Sequence, residues 1–202
     1  KNKLSATVNQ TLALHVQGLD TEKIAEQRIA HARRNKISKL SLGNLGLTHV
    51  PPSISQLAHL TYLDLDHNNL SSIPDAVCKL ENLRALFIQW NSLTSLPEEI
   101  SRLVNLRTLG LTGNRLVDLP RSLLKLSALN DLRLHEIPAL ALPPELLASA
   151  SGDQGDLGAV ARLLQYFFSA RSEQPRRLNE AKMILVGRGG AGKTSLVNRL
   201  VH

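Results

Sequence analysis

Aromatic residues are almost missing from this 202-residue chain: one Trp, two Tyr and three Phe make up 3% of it. A core of ordinary size must therefore be filled by aliphatic side chains. Cysteine is rarer still. The single Cys78 excludes an intrachain disulfide framework and fits a reducing compartment, so a cytoplasmic location is expected. No apolar run approaches the roughly 20 residues that span a bilayer, and the first residues hold no stretch of about 7–15 apolar residues of the kind a signal peptide needs. Acidic charge is in deficit, with 24 Lys and Arg against 17 Asp and Glu, a net charge of +7. That excess sits at the two ends, +4 in residues 1–36 and +3 in residues 179–202, while the stretch between them is neutral. A nucleic-acid surface needs Lys and Arg gathered on one face, so no nucleic-acid partner is expected.

Leucine fills the gap, with 41 residues, about a fifth of the chain. The pattern L-x-x-L-x-L-x-x-N-x-L-x-x-L-P-x-x-I-x-x-L-x-x recurs every 23 residues from starts at Ile37, Leu60, Leu83, Leu106 and Leu129. The second copy reads Leu60, Leu63, Leu65, Asn68, Leu70, Ile73-Pro74, Val77, Leu80, and the third and fourth repeat it around Asn91 and Asn114. A short L-x-L strand buries leucine on one side, and successive copies can stack as a parallel sheet. The recurring Asn carries amide donors and a carbonyl acceptor, enough to satisfy backbone groups where the chain turns away from the strand. Proline then directs the chain into a short return. The expectation is an α/β fold: a leucine-rich repeat solenoid over residues 37–150, with five repeats, parallel strands on its concave face and short helical or extended returns. The first and fifth copies place Leu45 and Ile137 at the Asn position, as terminal units of a solenoid do. Upstream, residues 21–36 predict an N-terminal capping helix, with Thr21 as N-cap, Glu22 in the first turn and Ile24, Ile29 and Ala32 on one face. Residues 1–20 have no assignment.

The outward strand positions line the concave surface. They bring out Tyr62, Asp64, Asp66 and His67 in the second copy, Arg84, Phe87, Gln89 and Trp90 in the third, and Arg107, Thr108, Gly110, Thr112 and Gly113 in the fourth. The fifth adds Arg133, His135 and Glu136. Aromatics beside small residues and charge are the composition of a protein-recognition patch, and Tyr62, Asp64, Arg84, Phe87, Trp90, Arg107 and Arg133 are the candidate partner-binding residues. The bland alternative is that the rings merely cover the sheet. His67, Asp66 and Asp64 read as a solvated face rather than a metal site, and Cys78 as a packing residue. No nucleophile–base–orienter set is present.

Residues 151–178 read as a polar, glycine-containing linker followed by a linker helix over Leu157–Ala170, with Val160, Leu163, Leu164 and Phe167 at helical spacing. Tyr166, Phe167 and Phe168 in its last turns are expected to anchor it against whatever follows the repeats. Then Met183 to Val186, an apolar run suited to a buried strand, leads into Gly187-Arg188-Gly189-Gly190-Ala191-Gly192-Lys193-Thr194. This satisfies G-x-x-x-x-G-K-[ST], and Leu196, Val197 and Leu200 follow at helical spacing, giving a P-loop β-α unit. Glycines allow the backbone N–H groups of the loop to wrap a phosphate; Lys193 would reach the β/γ-phosphates and the Thr194 hydroxyl would ligate Mg2+.

Repeats of this LPxxI type followed by LNEAKMILVGRGGAGKTSL resemble the Roco family over roughly residues 21–202. In that family a Ras-like GTPase domain, Roc, follows the repeats and precedes a dimerising COR domain. The resemblance implies GTP or GDP with Mg2+ in the complete protein, held by Gly187, Gly189, Gly190, Ala191, Gly192, Lys193, Thr194 and Ser195. It also implies contacts of the repeats with a downstream Roc-COR region and a homodimer formed through it. Residues 179–202 would be the start of Roc, truncated in its first helix, so the chain is expected to be a piece of a longer protein. By itself it is expected neither to hold nucleotide stably nor to hydrolyse it. The other reading is a non-enzymatic repeat scaffold or effector that binds protein through its concave face and carries a vestigial P-loop.

Overall fold

A uniform step of 23 residues governs the sheet. The computed structural model describes residues 21–151 and 158–172, and of the two units into which the chain divides, Lys1–Ala170 and Arg171–His202, all but the last two described residues belong to the first. Five strands, β1 (Lys39–Ser41), β2 (Tyr62–Asp64), β3 (Ala85–Phe87), β4 (Thr108–Gly110) and β5 (Asp131–Arg133), pair in parallel in sequence order. Lys39 lies opposite Tyr62, Tyr62 opposite Ala85, Ala85 opposite Thr108 and Thr108 opposite Asp131. The register is thus the repeat length of the sequence. It brings equivalent leucines into contact, layer upon layer.

The central residue of every strand, Leu40, Leu63, Leu86, Leu109 or Leu132, is buried, and so are Leu42, Leu65, Ile88, Leu111 and Leu134 two residues on. The returns are brief, with 3-10 turns at Pro52–Gln56, Glu98–Arg102 and Arg121–Lys125 and a single α-helical turn, α2 (Asp75–Cys78). The proline before the second, third and fourth returns is extended, near φ −72°, and sets the angle at which each begins. Cys78 is buried in α2 as a packing residue, and that burial pushes its thiol up to about 11.

Helix α1 (Thr21–Arg34) buries Ala25, Ile29 and Ala32 in the same core. It ends in a Schellman-type turn: Lys36 is left-handed at φ 50°, and the Ile37 N–H bonds the Ala32 carbonyl at 2.9 Å. Side chains stitch α1 to the first coil, Glu26 accepting from the Ser53 hydroxyl at 2.7 Å, Glu22 pairing with His49 at 3.2 Å and Arg33 meeting Gln56.

Beyond β5 the pattern changes. The fifth copy returns through Pro138–Leu140 and a left-handed Ala141, then forms helix α3 (Pro144–Ala150), which the repeat pattern does not foretell. Helix α4 spans Ala159–Ser172, two residues later than expected at its C-terminal end. Its aromatics need correcting: Phe167 is only 2% exposed and lies in the core shared with the repeats, while the Arg121 guanidinium of the fourth coil stands 5.6 Å over the Phe168 ring. The helix is therefore anchored on the repeats, because Val160, Leu163, Leu164 and Phe167 present one apolar face to them.

The coils are joined by Asn68, Asn91 and Asn114, all nearly fully buried. Asn68 donates to the carbonyls of Leu65 in its own coil (2.9 Å) and Leu42 in the preceding one (3.0 Å), and its Oδ1 accepts from the N–H groups of Leu45 and Leu47. Asn91 likewise bonds the Leu65 carbonyl and the Leu70 N–H, both at 3.0 Å, and Asn114 the Ile88 carbonyl at 2.8 Å and the Leu93 N–H at 3.0 Å. Leu45 in the first coil has no preceding coil to reach. Replacing Asn91 by Ala strands the buried Leu70 N–H and removes one of the two amide bonds to the Leu65 carbonyl at the centre of the stack, so a loss of about 1–3 kcal/mol is expected in urea unfolding. The exposed neighbour Asn69, changed to Ala, should cost under about 0.5 kcal/mol.

Candidate functional site: the concave sheet face

The residue before each Asn position has a left-handed backbone: Asn44 (φ 57°), His67 (55°), Trp90 (55°), Gly113 (70°) and Glu136 (57°). The cause is pairing. The N–H of each of the first four bonds a carbonyl of the next coil, Asn44 to Asp66 (3.0 Å), His67 to Gln89 (2.9 Å), Trp90 to Thr112 (2.8 Å) and Gly113 to His135 (3.1 Å). The chain keeps this bond while turning the next side chain into the core. For a residue with a Cβ the conformation costs about 1–2 kcal/mol. A tryptophan is an unusual occupant.

This column and the strand positions beside it hold two ring pairs. The Tyr62 and Phe87 rings lie 5.4 Å apart, inclined at 44°. His67 and Trp90 stack nearly parallel, 8° apart in plane and 5.9 Å between centroids. Each pair leans over a glycine of the fourth coil. A Cβ on Gly110 would stand 2.8 Å from Phe87 Cδ1, and one on Gly113 2.5 Å from Trp90 Cε3. The Arg133 guanidinium of the fifth coil stands 5.6 Å from the centre of the Phe87 ring and is paired with Asp131 at 2.8 Å. Trp90 nevertheless remains 43% exposed.

Two carboxylates sit on the second coil, in the chain between Tyr62 and His67. Asp64 accepts from the Ser41 hydroxyl at 2.7 Å and from the Asp66 N–H at 2.9 Å. Asp66 accepts from the backbone N–H of Gln89 and from its side-chain amide at 3.0 Å. Half-burial pushes the Asp66 carboxyl above its usual range, only partly offset by the Gln89 bonds. The Tyr62 hydroxyl is raised too, first by burial and then by the two carboxylates.

Of the residues singled out from sequence, the structure gathers Tyr62, Asp64, Phe87, Trp90 and Arg133 on this face. Arg84 and Arg107 stand one residue before their strands, exposed, at the positions that precede Ala85 and Thr108. Sequence reasoning missed the ring-on-glycine packing. The 23-residue offset of Phe87 from Gly110 and of Trp90 from Gly113 was the available signal. Among the described residues no group of three or more His, Cys, Asp or Glu could hold a metal ion, and no helix is long and apolar enough to cross a membrane. Gly187 to Ser195, with the expected nucleotide and Mg2+ contacts, lie outside the described residues.

These stacked coils, each with an inward Asn and an outward-facing strand, form a leucine-rich repeat solenoid. Residues 35–93 match the leucine rich repeat family. Among solved structures the chain is similar to a leucine-rich repeat protein of Leptospira interrogans, with 39% identity over 48% of this chain and 25% of that one, at a TM-score of 0.47. YopM of Yersinia enterocolitica shows 28% identity over 55% of this chain and 23% of that one, at 0.45. The leucine-rich repeat domain of a Shigella effector shows 24% identity over 58% and 50%, also at 0.45. The matched part spans about a quarter of the first two of these chains. None of the curated proteins compared with the chain matches it.

Replacing Gly113 by Ala should displace the Trp90 ring from its stack on His67. The emission of this sole tryptophan is then expected to shift to longer wavelength, with a stability loss of about 1–3 kcal/mol from overpacking at a left-handed site. The same change at exposed Gly46, where a Cβ would meet nothing closer than 3.9 Å, should leave the emission unaltered.

Proposed function

We propose that the repeats are a protein-interaction scaffold that binds its partner through the concave face. The observation that carries this reading is the layout of Tyr62, Phe87 and Trp90. Three of the chain's six aromatics stand on one solvent-facing sheet surface, where the aliphatic core has no use for them. Large, pre-stacked rings lose little conformational freedom on binding, which is why such residues dominate interface energetics. Extended curved surfaces of this kind are what repeat solenoids offer a partner. Helices α1 and α4 serve this scaffold as caps that cover its two ends.

A second reading concerns the parent protein. The run LNEAKMILVGRGGAGKTSL supports a Roco-type GTP-binding protein, in which Gly187 to Ser195 cradle the phosphates of GTP or GDP, Lys193 reaches the β/γ-phosphates and Thr194 ligates Mg2+. The repeats would then couple partner binding to the nucleotide cycle, with Roc-COR contacts and a homodimer beyond His202.

Two measurements test these readings. Affinity recovery with the wild-type chain and with a Trp90→Ala/Phe87→Ala double variant should return a partner with the wild type alone; equal recovery removes the concave face from consideration. A chain extended by a G-domain length should bind a fluorescent GTP analogue and lose that binding on Lys193→Ala. Unchanged binding in the variant would contradict the nucleotide reading.

A further inference from the structure

We propose that the concave face takes an extended basic segment of a partner protein, with a Lys or Arg side chain laid against the Trp90 and Phe87 rings and Asp64 and Asp66 as its counter-charges. This rests on the reading of the concave face as a protein-binding surface and specifies the chemistry of what binds there.

The first support is Trp90 itself. Its backbone turns the coil and its N–H bonds the next one, and neither needs the ring, since the other copies fill the position with Asn44, His67, Gly113 and Glu136. A bulky ring in the left-handed region adds cost and brings the coil no extra bond. Gly110 and Gly113 leave room in the fourth coil for the rings to lie flat on the sheet, so that ring area faces solvent as a platform. Flat, electron-rich rings are the surface on which a guanidinium or ammonium is held, and this face already carries one such contact, Arg133 over Phe87.

Charge supplies the second. Among the described residues no Lys or Arg pairs with Asp64 or Asp66, whereas Asp131 is paired with Arg133 and Asp75 with Lys79 and Arg102. Along the outward strand positions, the left-handed column and the residues just before that column, four carboxylates (Asp64, Asp66, Asp131, Glu136) face two cations (Lys39, Arg133), with Arg84 and Arg107 exposed one residue before their strands. The chain as a whole carries +7. Residues 37–178 carry no net charge, the excess lying in residues 1–36 and 179–202, so attraction of a basic segment rests on the carboxylates local to this face. A cation beside Asp66 would also offset the cost that burial imposes on its charged carboxylate.

Because Trp90 is the only tryptophan, emission of the full chain reads this site alone. The probes are a Gly/Ser-spaced arginine peptide, its lysine counterpart and its glutamate counterpart. The basic peptides are expected to give a saturable change in Trp90 emission, weakened severalfold by raising salt to about 0.5 M, and the glutamate peptide none. Asp64→Asn combined with Asp66→Asn should weaken the basic peptides by about fivefold or more, with far-UV circular dichroism and the urea midpoint confirming the fold; Asp64→Asn alone should give part of that loss. Three results overturn the proposal: equal affinity of the double variant, equal response to the glutamate peptide, or no response to any peptide. A partner that is recovered through Trp90 and Phe87 but cross-links to the face by a segment without Lys or Arg would also overturn it, while leaving the protein-binding reading intact.

Discussion

Three buried asparagine side chains hold the first four coils in register, and many other features depend on that spacing. Asn68, Asn91 and Asn114 each bond a carbonyl of their own coil and backbone groups of the coil before. An amide buried among leucines is costly unless its donors and acceptor are matched. It therefore penalises any slippage of one coil against the next far more than leucine packing does, since a leucine layer shifted slightly is still apolar contact. The hydrophobic layers supply the driving force for collapse, and the asparagines select the alignment.

That alignment extends to the opposite side of the sheet. The N–H of the left-handed residue before each Asn bonds the next coil, so the turn that sends Asn inward also fixes the outward residue beside it. His67, Trp90 and Gly113 thus arrive in one line, and Trp90 can stack on one neighbour and overlie the other. Along the strands Phe87 lies opposite Gly110, and Tyr62 meets the Phe87 ring from the diagonal position opposite Ala85. The concave face is organised by the same backbone geometry as the core, and its rings are held in place before any partner arrives.

Much of this was legible in the sequence because a solenoid has one dominant variable, the repeat length, and the register equals it. Strand positions, the inward leucines and the inward Asn followed at once, and so did the outward placement of Tyr62, Phe87 and Trp90. The left-handed column did not, because Asn, His, Trp, Gly and Glu share no chemistry; a backbone hydrogen bond imposes the conformation and side-chain identity barely records it. Helix α3 and the anchoring of Phe167 on the repeats were also out of reach, since beyond Ile137 and Pro138 the period is lost and contacts depend on tertiary packing. Arg84 and Arg107 share the 23-residue spacing yet precede their strands by one residue, a distinction set by where pairing begins.

The central claim is that inter-coil asparagine bonds set the register, and amide hydrogen exchange tests it most directly. Leu70 and Leu93 lie outside the strands, but their N–H groups are bonded by Asn91 and Asn114 at 3.0 Å. They are predicted to exchange as slowly as the strand amides of Leu63 and Leu86, opening only with global unfolding. Exchange at the rate of exposed turn amides, with the strands still protected, would contradict the account.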